Sequence, residues 1–385
     1  MRPPRRVEVA VIGAGPAGSA IAAALATSGR DVVLLERDTF PRHKVCGEFL
    51  SPEATRCLDE LGCLQAFHER KPAVITRSRL RTADGAQIEL KLPAKAYGLS
   101  RKCLDEFLFA NARDCGAQAF EGAAVRKVEV GRRQQRRLHV ELRDGDDRSD
   151  YMVEADVVVG AYGRRSRIDR RLKRPFFDKH SPYVAFKRHN YIDRSADVPP
   201  LEDHVELHAF DGGYCGVSFV EQGRVNICTM VERRLLRDGR IDPEEPFQSL
   251  QRGDTPLGRR LATLKPCDVE TCAVAQIPLS TKASTHNGVL FVGDAAGMIA
   301  PLAGDGQAMA MESALTLAGL LHDRLPRVPR RQWSREWRQR FGVRVRLGSW
   351  LQAAIIRPAI AGLLMRLLGR FPSVARALVV ATRGR

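Results

Sequence analysis

The feature that most constrains this chain lies in its first thirty-six residues. Val7–Ile12 (VEVAVI) is short, apolar and rich in β-branched residues, the composition of a strand buried on both faces. Gly13-Ala14-Gly15-Pro16-Ala17-Gly18 follows at once, and Ser19–Ser28 is alanine- and leucine-rich until Gly29, the residue type that commonly ends a helix. Asp31–Leu35 (DVVLL) is a second strand, closed by Glu36. A G-x-G-x-x-G turn alone is weak evidence, but between a strand and a helix, with an acid at the end of the next strand, it defines a dinucleotide-binding βαβ unit. Gly13 permits the tight turn, Gly15 lets backbone approach a pyrophosphate, and Gly18 lets helix and strand pack closely. The helix N-terminus, with Pro16 and Ala17, offers free N–H groups to the phosphates. Glu36 is placed to accept the hydroxyls of an adenosine ribose, which disfavours a 2′-phosphate there.

Further elements follow the same logic. Tyr97–Gly116 reads as a helix with Leu104, Phe107, Leu108 and Ala112 on its apolar face, and Ala155–Gly160 and Gly288–Val292 read as buried strands. Arg77–Leu92 alternates around Asp84-Gly85. Tyr183–Val231 shows hairpin strands around Asp211-Gly212-Gly213 and Gln222-Gly223. Parallel-type elements interrupted by antiparallel ones predict an α/β chain with a discontinuous Rossmann-like domain (1–75, 97–170 and 275–325). An antiparallel-sheet substrate domain (76–96 and 171–274) is inserted, and C-terminal amphipathic helices occupy 326–385. Arg132–Arg137 (RRQQRR) is expected to be a solvated loop.

The identity of the dinucleotide is decided at the far end of the chain. Gly288-Val-Leu-Phe-Val-Gly-Asp-Ala-Ala-Gly297 reads as a strand ending in a turn with Asp294, and Pro301-Leu-Ala-Gly-Asp-Gly-Gln307 leads into an alanine-rich helix. This pair resembles the "GD" region of flavoprotein monooxygenases and geranylgeranyl reductases, which share the p-hydroxybenzoate hydroxylase fold. The resemblance implies FAD, a discontinuous FAD-binding domain of the glutathione-reductase type, and an aspartate, here Asp294, on the ribityl chain. It places Gly13, Ala14, Gly15, Pro16, Ala17, Gly18, Glu36, Arg37, Cys46, Gly47, Arg101, Val125, Asp294, Gly304, Asp305, Gly306 and Gln307 around the cofactor. The helix start at Gly304–Gly306 would set a positive pole against the negative charge that reduced flavin carries at N1 and the C2 carbonyl.

Two segments bear on the reaction. Pro41-Arg-His-Lys-Val-Cys-Gly-Glu-Phe-Leu-Ser-Pro52 resembles the K-x-C-G-G region of geranylgeranyl reductases, with Glu48 in place of the second glycine. It is also similar to the G-E-S stretch of flavin-dependent halogenases. Cys46 is the candidate catalytic residue, a proton donor whose acidity neighbouring charges such as Arg42 and Lys44 would set. Val157-Val-Val-Gly-Ala-Tyr-Gly-Arg-Arg-Ser-Arg-Ile168 looks like the family's "ADG…S" segment, but Tyr162 stands where aspartate is usual, which counts against direct reduction by NAD(P)H. The halogenase branch needs W-x-W-x-I-P, and the tryptophans at 333, 337 and 350 form no such pattern.

The paired segments Gly213–Phe219 and Val225–Cys228 resemble strands of the family's substrate domain. Where that family commonly has a tryptophan and a proline, this chain has Gly216 or Val217, and Val220. In Glu202–His208 (EDHVELH) the alternation of His204, Glu206 and His208 with Val205 and Leu207 reads as an outward strand face rather than a metal site, and no metal is expected.

The chain carries +17 formal charge, and residues 330–385 hold thirteen arginines against one acid, Glu336, a net +12. No zinc-finger, helix-turn-helix or aromatic RNA-binding signature accompanies them, so nucleic acid is not the expected partner. Leu347–Val380 mixes leucine, isoleucine and arginine and is divided by Pro358 and Pro372. It predicts short amphipathic helices that cover a hydrophobic substrate's pocket, lie on an anionic membrane surface, or both. Nine scattered cysteines without a C-x-x-C pair predict reduced thiols and a cytoplasmic setting, with membrane association as an addition. The overall expectation is an FAD-dependent oxidoreductase for a hydrophobic or lipid-like small molecule. It would reduce a C=C bond or hydroxylate, the latter including an NAD(P)H-dependent aromatic or polyketide monooxygenase. A non-catalytic dinucleotide-binding protein docked by its basic tail is the remote alternative.

Overall fold

A computed structural model describes residues 2–130, 135–193, 200–236, 242–267, 271–322, 325, 330–371 and 381–383. The strand Arg6–Ile12 pairs in parallel with Val32–Leu35 on one side and with Asp147–Gly160 on the other. Gln118–Phe120 and Val289–Phe291 extend the sheet in parallel at its two flanks. The crossover helices Pro16–Thr27 and Arg101–Asp114 and the late helix Gly306–His322 join this sheet in one core built on Val9, Val11, Leu34, Val158, Leu104 and Met311. Each such side chain contributes about 1.5–3 kcal/mol by leaving water, and near-total burial explains why these strands read as continuous apolar runs rather than alternating ones. The expected helix over Tyr97–Gly116 begins only at Arg101. Ser100 caps it, accepting from the Cys103 N–H, and Tyr97-Gly98 instead ends a strand.

The second sheet has nine strands among the described residues. The hairpins expected around Asp84-Gly85, Asp211-Gly213 and Gln222-Gly223 are all present. One pairing departs from the antiparallel expectation: His204–Phe210 runs parallel to Ala73–Thr82. Those strands are more than a hundred residues apart, so no tight turn dictates their direction. Phe49–Leu50 also belongs to this sheet, through Tyr97 and Gly98, and the expected boundary at residue 76 falls inside the strand Ala73–Thr82.

Two readings of charge are corrected. Residues 132–134 of the expected solvated loop lie outside the described residues, and Arg136 is buried at the start of Arg136–Asp144. Its guanidinium donates to the Asp156 carbonyl at 2.6 Å, beneath Gly288. The face bearing His204, Glu206 and His208 is likewise buried, not outward. Glu206 accepts from Arg260 at 2.9 and 3.0 Å and from Arg79 at 3.0 Å, and bonds His208 at 3.1 Å. The helix Pro256–Ala262 brings Arg260 over the strand, and arginines hold the carboxylate. All nine cysteines are free thiols.

The C-terminal region includes the helices Arg330–Ile355 and Pro358–Arg370, and residues 372–380 lie outside the described residues. The longer helix locks onto the core of the first sheet through buried Trp333, Trp337 and Phe341, with the Trp333 indole N–H donating to the Phe291 carbonyl at 3.1 Å.

Candidate active site

The three glycines of the first turn divide as their spacing predicts. A Cβ on Gly18 would stand 1.7 Å from the Gly13 carbonyl oxygen, and one on Gly13 would meet the Tyr162 and Ala161 backbone at 2.8–3.0 Å. Those positions are closed by packing. A Cβ on Gly15 would meet nothing nearer than an Arg101 guanidinium nitrogen at 3.6 Å. The space above Gly15 is therefore open and bounded by a cation, which fits a pyrophosphate. Glu36, at the end of the second strand, accepts from the Ala14 N–H at 2.8 Å and the Asp38 N–H at 3.1 Å and pairs with Arg42 at 3.1 Å. The acid is thus fixed beside the turn by three donors. Asp105 holds Arg101 through two bonds of 2.7 Å and Arg42 through a third.

The remaining expected residues spread around this centre. Arg37 is exposed and paired with Asp38 at 3.3 Å. Val125 sits at a register shift in the strand Ala123–Val130, and Gly47 is exposed. Asp294 lies in the tight turn Gly293–Ala295, half-buried. Burial raises its carboxyl above the ordinary value, against the pull of Lys282, Arg101 and Arg164. Asp305 is fully buried, with its carboxylate bonded to Ser51 at 3.0 Å and to Arg344 of the long C-terminal helix. Burial pushes it up to about 6. Its side chain therefore ties that helix to the Gly304–Gly306 turn, and Gly306 opens the helix Gly306–His322. Gln307 donates to the Phe49 carbonyl at 3.3 Å and to Cys46 Sγ at 3.5 Å.

Cys46 is where the two halves meet. Its Sγ accepts from the Glu48 N–H at 3.3 Å, and its carbonyl accepts from Asn226 of the second sheet at 3.1 Å. Burial raises the thiol above its ordinary value, although Arg101 opposes this, so it is protonated at neutral pH. Two buried polar atoms beside it, Gln307 Oε1 and Asn226 Oδ1, have no protein partner. Unsatisfied groups that flank a thiol and an open glycine turn are what a polar ring system would complete. Next to this group lies an apolar cluster of Tyr214, Met230, Ile277 and Ile356, with Val45 and Leu302 packed against it.

Sequence reasoning missed what lies beneath the loop. Glu48 adopts φ +55°, the left-handed backbone a glycine would favour, and is fully buried. Its carboxylate bonds Lys187, the His189 Nε2 at 2.6 Å and the Arg101 N–H at 2.7 Å. Burial alone would raise its carboxyl, but Lys187 and His189 outweigh that and hold it below the ordinary value. His43 stacks edge-on against His189 at 5.7 Å and is lowered to about 4 by burial and by Lys187. The only signal available in the sequence was that Glu48 replaced a glycine. Tyr162, at the family's aspartate position, donates to Asp169 at 2.7 Å, and Asp169 in turn pairs with Arg174.

A parallel sheet whose first turn leaves open space above Gly15, bounded by Arg101 and with Glu36 fixed beside it, is the frame of a dinucleotide-binding domain. The FAD binding domain family matches residues 6–326, and the chain belongs to that family as an FAD-dependent oxidoreductase. It is 31% identical over 335 residues to the menaquinone reductase of Mycobacterium tuberculosis, covering 82% of this chain and 77% of that one. It is 27% identical to digeranylgeranylglycerophospholipid reductase 2 of Methanopyrus kandleri, covering 78% and 72%. Among solved structures it shares the fold of a geranylgeranyl bacteriochlorophyll reductase-like protein from Thermoplasma acidophilum. There the TM-score is 0.73 at 19% identity, covering 98% of this chain and 99% of that one. A flavin-dependent brominase has the same fold, with a TM-score of 0.79 at 16% identity, covering 98% and 93%.

Proposed function

We propose that this flavoenzyme reduces a carbon–carbon double bond in a lipid-like, isoprenoid-type substrate. The observation that carries the reading is Cys46, a protonated thiol held between the Gln307 end of the flavin region and an apolar wall on the second sheet. The likeness to a menaquinone reductase and to a reductase of a digeranylgeranyl lipid supports that substrate class.

FAD bound here and reduced by an external donor would supply the hydride. Cys46 Sγ–H donates the proton that the second alkene carbon requires, so one C=C becomes C–C with two C–H bonds formed. The thiolate left behind accepts the Glu48 N–H and the Gln307 amide N–H, with the Arg101 charge close by, and solvent protons restore the thiol. The Tyr214, Met230 and Ile356 cluster excludes water from the isoprenoid carbons.

The test is anaerobic turnover of the FAD-loaded protein with a polyprenyl quinone, with dithionite, NADH and NADPH compared as reductants. A product that stays heavier by two hydrogens after the ring is reoxidised to the quinone in air, with the gain in the polyprenyl chain, supports the reading. Success with dithionite and failure of both nicotinamides assigns a separate protein reductant, in keeping with the engaged Tyr162 hydroxyl. A product heavier by one oxygen, formed only in air, replaces reduction by hydroxylation.

A further inference from the structure

We infer that the outer face of the helix Pro358–Arg370 is a docking surface for an anionic lipid bilayer. In Pro358–Arg370, Ala361 and Met365 turn inward and are almost fully buried, where the helix rests on the strands Ala73–Thr82, Gln87–Gly98 and His204–Phe210. Its other face exposes Ile360 (41%), Leu363 (54%) and Leu367 (48%), and Phe371 (50%) follows the helix end. Spacings of three, four and four residues put these side chains on a single stripe. Trp350 of the preceding helix is 58% exposed. Isolated apolar residues on a surface need no explanation, but a stripe at helical period does.

Charge selects the occupant. Arg366 and Arg370 are exposed along one edge of the stripe, Arg357 is exposed at its start, and no acid occurs anywhere after Glu336. An apolar face edged by arginines, on a helix that itself carries no carboxylate and with Asp84 of the neighbouring hairpin close to Arg366, is the composition of a helix lying in the headgroup region. Thirteen residues rise only about 20 Å, short of the roughly 30 Å hydrocarbon core, so this helix lies on a membrane and does not cross one. The long helix before it turns away by 112° at Ile356-Arg357.

The position gives the surface a purpose. Ile356 at that bend is buried in the apolar cluster with Tyr214 and Val45, next to Cys46, and its carbonyl accepts the Gly212 N–H at 2.9 Å. Docking the helix therefore sets the roof of the substrate side on the bilayer, and a lipid passes to Cys46 without crossing water. The surface is independent of which lipid is reduced, and vesicles that contain no substrate test it alone.

Trp333 and Trp337 are 0% and 2% exposed, so Trp350 is the one tryptophan of the three that reports on contact with lipid. The FAD-loaded protein is mixed with vesicles of phosphatidylglycerol or of phosphatidylcholine and sedimented, and phosphatidylglycerol vesicles with brominated acyl chains are used to quench fluorescence. The expected result is sedimentation with phosphatidylglycerol only, weakened by salt, with quenching that Trp350→Phe abolishes. Leu363→Asp with Leu367→Asp should weaken binding at least about tenfold, and Arg366→Gln or Arg370→Gln about fivefold each. Flavin absorbance unchanged in every variant shows that the fold is intact. No sedimentation, no quenching, or binding indifferent to the leucine changes would overturn the inference. A solution dimer that Leu363→Asp dissolves, without vesicle binding, would give the stripe to a second copy and equally overturn it.

Discussion

Glu48 and Glu206 are both fully buried carboxylates held by cations from other elements, yet they sit in different kinds of place. Glu206 lies in a regular strand and is enclosed by Arg79, Arg260 and His208, none of which reaches Cys46. Glu48 lies in a loop with a left-handed backbone, and its network runs on. Its own N–H holds Cys46, its carboxylate holds the Arg101 N–H, and the Nδ1 of its partner His189 is buried without a protein partner. The same chemical solution to burying a charge is closed on itself in one region and opens onto the site in the other. Loss of the first carboxylate should cost stability alone, and loss of the second should cost stability and geometry together.

The largest expected effect tests the closed cluster. Glu206→Ala removes the carboxylate shared by buried Arg260 and His208 and partly buried Arg79, and should lower stability by about 3–5 kcal/mol in denaturant titration, with turnover per folded molecule unchanged. A parallel loss of turnover would erase the distinction. The same carboxylates make a pH prediction. Both are held below the ordinary value in the folded protein, so their contribution is complete above about pH 4.5, the unfolded reference, and is lost as pH falls through their folded values. Stability measured against pH should fall steeply in that acid range, and Glu206→Gln should flatten the slope.

On the open side, Cys46→Ala removes the proton donor and should slow turnover about a hundredfold, with the melting temperature nearly unchanged. A variant as fast as the wild type assigns proton delivery to water. Gly15→Ala fills the open space beside Arg101 and should weaken FAD about tenfold, read by flavin fluorescence, while the FAD-free protein melts as before. An equal loss of apo stability would show that Gly15 is packed rather than left open for a ligand. Smallest is a difference between two variants. Glu48→Gly and Glu48→Ala both orphan Lys187 and His189, but only alanine retains the cost of the positive φ, so glycine should be more stable by about 1 kcal/mol.

Much of the first region was readable from local pattern. Val7–Ile12, the glycine turn and Asp31–Leu35 needed only composition and spacing, because a strand buried on both faces and a turn without room for Cβ leave their mark on adjacent residues. The hairpins around Asp84-Gly85 and Asp211-Gly213 were readable for the same reason. Arg136 and the His204–His208 face were misread because polar residues at alternate positions look solvated until the covering element is known. Here those elements are the Asp156 carbonyl and the helix carrying Arg260.

The sequence by itself determined the dinucleotide-binding unit, the turn with Asp294 and the presence of an unusual loop at Cys46, because sterics and hydrophobic period act within a few residues. Tertiary structure alone decided what that loop does. Lys187 and His189 stand 139 and 141 residues from Glu48, and Gln307 stands 261 residues from Cys46. Tertiary structure also decided which side of Pro358–Arg370 faces water. An amphipathic pattern says that two faces differ, and only the packing of Ala361 and Met365 shows which one the protein keeps.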